Sequence, residues 1–178
     1  MRCFLAIRLP EDVRKKLVEI QKQLPEGKMK LVEEENLHLT LKFFGEISDF
    51  QINKIKRALE QVKMRKLEAR LGKLGVFPSI NFVRVIWIGV EPAEEIKKMQ
   101  EEIDSLLEKE KFRREKKFES HITLARVKSV KDKKEFIKKL KEIIVEPIKF
   151  SIEKFSLEKS TLTSKGPIYE TIKEFELS

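Results

Sequence analysis

The chain has 178 residues, enough for one large domain or two small lobes around a buried core. Its 39 Lys and Arg outnumber 30 Asp and Glu, and the net charge of +9 favours a polyanionic partner, nucleic acid above all. No apolar run is long enough to span a membrane, no charged-then-apolar leader opens the chain, and the lone Cys3 excludes a disulfide framework, so a cytoplasmic protein is expected.

Cys3, Leu5, Ile7 and Leu9 alternate with Phe4, Ala6 and Arg8, predicting a first strand that Pro10 stops. Glu11 and Asp12 open a helix with Val13, Leu17, Ile20 and Leu24 on one stripe, ended at Pro25-Glu26-Gly27. A short polar passage leads to an alternating strand from Leu37, closed by Gly45. Ser48 with Gln51 reads as a capping box, stapled by Ile47 and Ile52, for a helix burying Ile52, Ile55, Leu59 and Val62. Leu67, Ala69 and Leu71 alternate as another strand before a turn region at Gly75 to Pro78.

The second half spells the same series. Phe82 to Val90 reads as a central strand, and Glu91-Pro92 starts a helix with Ile96, Met99, Ile103 and Leu106. A basic loop, Lys111 to Lys117, precedes a second alternating strand. Ser129 with Asp132 begins a helix with Phe136, Leu140 and Ile143 on one face, and Ile148, Phe150 and Ile152 form a strand. The expected fold is α+β, two βαβαβ lobes (1–75 and 82–155) related by a pseudo-twofold around a central cleft. A C-terminal hairpin over 156–177 turns at Ser164-Lys165-Gly166-Pro167.

Only two histidines occur, and both stand in the same word. His38-Leu39-Thr40-Leu41 lies in the first half and His121-Ile122-Thr123-Leu124 in the second. Alternation places Leu37, Leu39, Leu41 and Phe43 on a core face, and His38, Thr40, Lys42 and Phe44 on the other. Imidazole exchanges a proton near neutrality, and a Thr hydroxyl two residues on can donate to an anionic oxygen. Two such pairs facing each other supply a general acid, a general base and two oxyanion donors around one phosphate. Two His and one distant Cys offer no metal-ligand spacing.

These paired His-x-Thr-x motifs on a duplicated lobe resemble the 2H phosphoesterases. Within them the chain is similar to the bacterial and archaeal RNA 2′,3′-cyclic phosphodiesterases, first named 2′-5′ RNA ligases. Arg2-Cys3-Phe4-Leu5-Ala6 matches their opening strand, and His38-Leu39-Thr40-Leu41-Lys42-Phe43-Phe44-Gly45-Glu46 their longer first motif. His121-Ile122-Thr123-Leu124-Ala125-Arg126 matches the second, and Ser160-Thr161-Leu162-Thr163-Ser164-Lys165-Gly166-Pro167-Ile168-Tyr169 resembles their C-terminal signature. The resemblance implies one bilobal domain over 1–178 that opens an RNA 2′,3′-cyclic phosphate to a 2′-phosphomonoester without metal or cofactor. It assigns His38 as proton donor, His121 as proton acceptor, and Thr40 and Thr123 to the non-bridging oxygens. Run backwards, the same groups would ligate a 5′-hydroxyl. RNA ends, tRNA fragments among them, are the expected partner of a monomer.

Other positions carry competing readings. A lone strand histidine is ordinarily structural and a strand threonine ordinarily propensity; the matched pairs favour catalysis. Arg126, by alternation, falls on the face opposite His121, while the resemblance puts it in the cleft, which requires a bulge or strand end. Lys42 is a phosphate contact or solvated surface, and Tyr169 stacks on a base or packs in the hairpin. Phe4 and Phe43 are core or cleft wall, and Phe43 and Ser160 complete the candidate substrate contacts with Arg126, Lys42 and Tyr169. Arg113, Arg114, Lys116 and Lys117 form a solvated loop or an RNA track. Two further functions stay open: a phosphodiesterase for small cyclic nucleotides or 2′-5′ oligonucleotides, and a non-catalytic RNA-end binder. The charged fraction of 39% suggests a thermophilic source.

Overall fold

The apolar stripes fold as helices against one face of a single sheet, in a computed structural model that describes all 178 residues. In chain order the elements are β1 (Arg2–Arg8), α1 (Glu11–Lys22), β2 (Lys28–Leu31), β3 (His38–Glu46), α2 (Asp49–Leu59), β4 (Leu67–Ser79) and β5 (Phe82–Glu91). There follow α3 (Ala93–Glu108), β6 (His121–Ser129), α4 (Lys133–Glu142), β7 (Lys149–Ile152), β8 (Lys154–Thr163) and β9 (Gly166–Glu176). No helix is long and apolar enough to cross a membrane.

The main core brings Val13 and Leu17 of α1, Ile55 and Leu59 of α2, and Ile96 and Ile103 of α3 against Leu39, Leu41, Ile122 and Leu124 of the sheet. Each such side chain contributes roughly 1.5–3 kcal/mol on burial. A smaller cluster sets Phe136 and Leu140 of α4 on Ile86, Ala125 and Val127. Cys3 is fully buried, as its apolar run predicts. The Ser48–Gln51 capping box forms in both directions and starts α2.

All strand pairs are antiparallel, in the order β7-β4-β5-β6-β3-β1-β8-β9, with β2 added to β6. The two His-Thr strands, β3 and β6, are neighbours at the middle, joined through the pair Leu39 and Ile122. Outward from them β1, β8 and β9 form one wing and β5, β4 and β7 the other. The α+β class and the duplication agree with the sequence reading, but the expected lobe bounds do not match the wings. β4, read as part of the first lobe, pairs with β5 and β7, and β8 of the C-terminal hairpin pairs with β1. The C-terminal hairpin takes beside β1 the place that β4 takes beside β5.

Three local expectations are corrected. Gly75 to Pro78 is strand, and the chain reverses instead between Ser79 and Phe82. Gly75 is needed there because a Cβ would stand 2.3 Å from Cζ2 of Trp87, so the indole lies over its backbone. β6 runs on through Ser129, and Asp132 alone caps α4, accepting from the Glu135 N–H at 3.1 Å. The polar passage before His38 contains β2, whose four residues acquire their conformation from pairing with β6.

Candidate active site

Both histidine strands break their alternation at the same place. The register of β1 on β3 passes from Lys42 to Thr40 in one step, and that of β5 on β6 from Ala125 to Thr123. Leu41 and Leu124 are the extra residues, and each bulge turns the side chains that follow it onto the other face up to the next irregularity, at Phe44 and at Lys128. Lys42 and Ala125 therefore join the buried side, while Phe43 and Arg126 return to the side of the histidines. The bulge that Arg126 needs is present.

A buried polar side chain braces each bulge. Gln21 of α1 donates to the carbonyls of Val32 (2.9 Å) and Leu124 (2.8 Å), where β2 and β6 meet. Asp104 of α3 takes the corresponding position in the second half and accepts from Lys42 Nζ at 2.7 Å. Each half thus sends its first helix to hold the other half's histidine strand.

On the face away from the helices, His38, Thr40, His121, Thr123 and Arg126 line one cavity of about 230 Å³. Continuing the Leu39–Ile122 register by one residue sets His38 opposite Thr123 and Thr40 opposite His121. The two pairs are inverted about the middle of the sheet. Each ring is fixed in the same way, Nδ1 of His38 donating to the Asn36 carbonyl at 2.6 Å and Nδ1 of His121 to the Glu119 carbonyl at 2.7 Å. Because a carbonyl only accepts, Nδ1 carries the proton and Nε2 is left for the cavity. Nε2 of His38 lies 2.7 Å from the Thr40 hydroxyl.

Each imidazole also rests on aromatic rings. His38 lies 5.1 Å from the Phe4 ring and edge-on to Tyr169 at 5.4 Å; His121 lies 5.1 Å from Phe77 and 5.9 Å from Trp87. Burial pushes His38 down to about 4; the Asn36 hydrogen bond opposes this, and positive charge on His121, Arg8 and Arg126 adds to it. In the empty site at neutral pH it is uncharged. Burial raises the Tyr169 phenol, partly offset by Arg126 and Arg2. No three His, Cys, Asp or Glu side chains converge as a metal site.

Of the candidate substrate contacts, Arg126, Phe43 and Tyr169 line the cavity. Phe43 is 52% exposed and stacks on Phe4, whose ring also packs against His38 and Tyr169. Lys42 is a correction. The bulge carries it into the interior, where it is 4% exposed and bound to Asp104 and to the Arg113 carbonyl, neither phosphate contact nor solvated surface. Ser160 is a second correction: it pairs across to Tyr169 and Arg2 in the middle of the hairpin strand and is not part of the cavity wall. In the basic loop, Arg113, Lys116 and Lys117 are exposed, while Arg114 bonds Ser105 and pairs with Glu108.

Several wall residues escaped the sequence reading. Lys30, Leu31, Val32 and Glu33 come from β2 and its continuation, and Lys165, Gly166 and Pro167 from the hairpin turn. Asn36 is buried and acts at both ends, its carbonyl on His38 and its amide donating to the Pro167 carbonyl at 3.0 Å. The turn was visible as a signature, but nothing local in the sequence aims it at His38.

The LigT like Phosphoesterase family model matches the chain twice, over residues 7–87 and 88–169. The chain belongs to the LigT-like phosphoesterase family. The double match falls on the two halves that the repeated word divides. An RNA 2′,3′-cyclic phosphodiesterase of Methanocaldococcus jannaschii is 38% identical, the alignment covering 98% of this chain and all of the relative. One from Thermotoga maritima is 36% identical over 98% of this chain and 94% of its own. A crystal structure of a Thermus thermophilus protein superposes with a TM-score of 0.85 at 30% identity, covering 99% of this chain and 97% of that one. Escherichia coli LigT complexed with 3′-AMP shares the LigT-like fold, with a TM-score of 0.80 at 23% identity, covering 99% and 98% of the two chains.

Proposed function

We propose that this chain hydrolyses RNA 2′,3′-cyclic phosphate ends to 2′-phosphomonoesters by acid–base catalysis between its two histidines. The observation that carries this is the inverted pair of His-Thr couples on adjacent strands around one cavity, with Arg126 beside them. The relatives named RNA 2′,3′-cyclic phosphodiesterase support the substrate class.

On this reading the work divides as follows. Water attacks phosphorus from the more open side, and His121, whose hydrogen bond to Glu119 is exposed, takes its proton through Nε2. The bond from phosphorus to the 3′ oxygen breaks, and His38, more enclosed against Phe4 and Tyr169, returns a proton to that oxygen. Thr40, Thr123 and Arg126 face the non-bridging oxygens, whose charge is redistributed in the transition state. His38, depressed mainly by burial and further by neighbouring positive charge, becomes a donor only once the negative charge of the bound phosphodiester raises its proton affinity. With a 5′-hydroxyl in place of water, the same steps form a 2′-5′ phosphodiester as the bond from phosphorus to the 3′ oxygen breaks. Both couples lie in one chain, so a monomer suffices; tRNA fragments and a cytoplasmic setting suit the reading.

Incubation with a short RNA ending in 2′,3′-cyclic phosphate tests it, and the phosphate of the product is expected on the 2′ oxygen. A 3′-phosphate, or no turnover, overturns the reading. Activity is expected to survive EDTA and dialysis, since side chains supply acid, base and oxyanion donors. Loss that zinc or magnesium restores would require new roles for the histidines.

The pH profile follows from His38. The alkaline limb of kcat/KM, which reports the free site, is expected near pH 4, where His38 loses the proton it has to donate. The limb of kcat is expected at higher pH, because bound phosphate raises the proton affinity of His38. Coincident limbs near the ordinary histidine value, about 6.5, would show that burial does not govern this group.

A further inference from the structure

The cavity holds more positive charge than one phosphodiester uses. Lys30 on β2 is the direct cross-strand partner of Arg126 on β6. Like charges directly opposite on a sheet destabilise it. Lys165 adds a third cation from the hairpin turn, and Glu33 is the only carboxylate on the wall. None of the three cations has a carboxylate within ion-pair distance.

Their placement is built rather than incidental. Gly166 has a φ of +114, which favours glycine and sets the turn, and its Cα position lies close to Lys30, whose Nζ would be in ordinary contact, 3.4 Å, with a Cβ there. The turn is closed by the Thr163 hydroxyl, which donates to the Gly166 carbonyl at 2.6 Å and accepts from the Lys165 N–H at 3.2 Å. Asn36 then ties Pro167 to the backbone that orients His38. The backbone carrying Lys165 is thereby tied to that of His38, and the backbone of Lys30 is held by its pairing with Arg126, while both side chains are exposed.

We propose that Lys30 and Lys165, beside Arg126, form a second anion site for the 5′-phosphate of the terminal nucleotide. The inference rests on the proposed reaction, because an RNA end bearing a cyclic phosphate has one neighbouring phosphate, and it sits on the 5′ oxygen of the same nucleotide. Arg126, the threonines and a protonated histidine already serve the reacting phosphate. The two lysines take the next one and make the enzyme select a nucleotide within a chain over a free nucleoside cyclic phosphate.

The test compares a nucleoside 2′,3′-cyclic phosphate carrying a 5′-phosphate with the same compound carrying a 5′-hydroxyl. The natural chain is expected to favour the first in kcat/KM by about tenfold or more, mostly through KM, the size of one charge-assisted contact. Combined Lys30→Gln and Lys165→Gln is expected to bring that ratio toward one, with an unchanged melting temperature showing that the fold persists. Equal rates in the natural chain, or a preference that survives the double substitution, overturn the second anion site and leave the proposed reaction standing. If neither compound turns over, the reaction fails instead, and titration calorimetry of the two compounds then reads the site directly. Equal affinities in that titration also overturn it.

Discussion

Alanine in place of His38 or His121 is expected to lower kcat/KM by at least about 100-fold, the low end for a positioned acid or base. The expectation rests on the common fixation of both rings, Nδ1 tied to a carbonyl two residues earlier and Nε2 left to the cavity. Neither change removes a buried apolar group from the main core, so melting temperatures should stay near that of the natural chain. The double variant should lose less than the product of the single losses, because a proton-transfer pair works as a unit. The two residues also separate by leaving group. With a 3′-deoxynucleoside 2′-(4-nitrophenyl phosphate), whose departing phenolate needs no proton, His38→Ala should be damaged far less than His121→Ala. The opposite order would exchange donor and acceptor, and near-natural turnover by either single variant would end the two-histidine mechanism.

How much of this was legible depends on how local the cause is. The His-Thr words are local, since two residues on one strand share a face whatever surrounds them, and their repetition located the site. The helix stripes and the Ser48–Gln51 cap are local for the same reason. The bulges are not local. Alternation carried straight through Leu41 and Leu124 puts Phe43 in the core and Arg126 outside the cleft, and the structure reverses both. The bulges are braced by Gln21 and Asp104, far away in the chain, and no window around either histidine contains those partners. β2 was invisible because four residues, two of them lysine, are too short to declare a strand without β6 beside them. The missed wall of the cavity is therefore the part contributed by β2 and by the hairpin turn that Asn36 pulls in.

Lys42→Met is expected to destabilise the protein by about 3–5 kcal/mol, the usual consequence of leaving one member of a buried ion pair alone. Lys42 and Asp104 are 4% and 3% exposed, and the second carboxylate oxygen of Asp104 also accepts from Gln100 at 2.9 Å and from the Glu115 N–H at 2.9 Å. Removing the ammonium strands that charge beneath the sheet and releases the Arg113 carbonyl, so the loop before His121 loosens with the strand that carries His38. For a chain of this size each kcal/mol lowers Tm by about 2–4 °C, giving a fall of about 10 °C by circular dichroism. Lys42→Met combined with Asp104→Leu should recover much of the loss, because an apolar pair replaces an ion pair without leaving a charge behind. The alternation in the sequence allowed a phosphate contact at this position, and that reading makes a different prediction: Tm unchanged and KM raised. A variant that melts like the natural chain but binds RNA poorly would return Lys42 to the cleft and take the bulge at Leu41 with it.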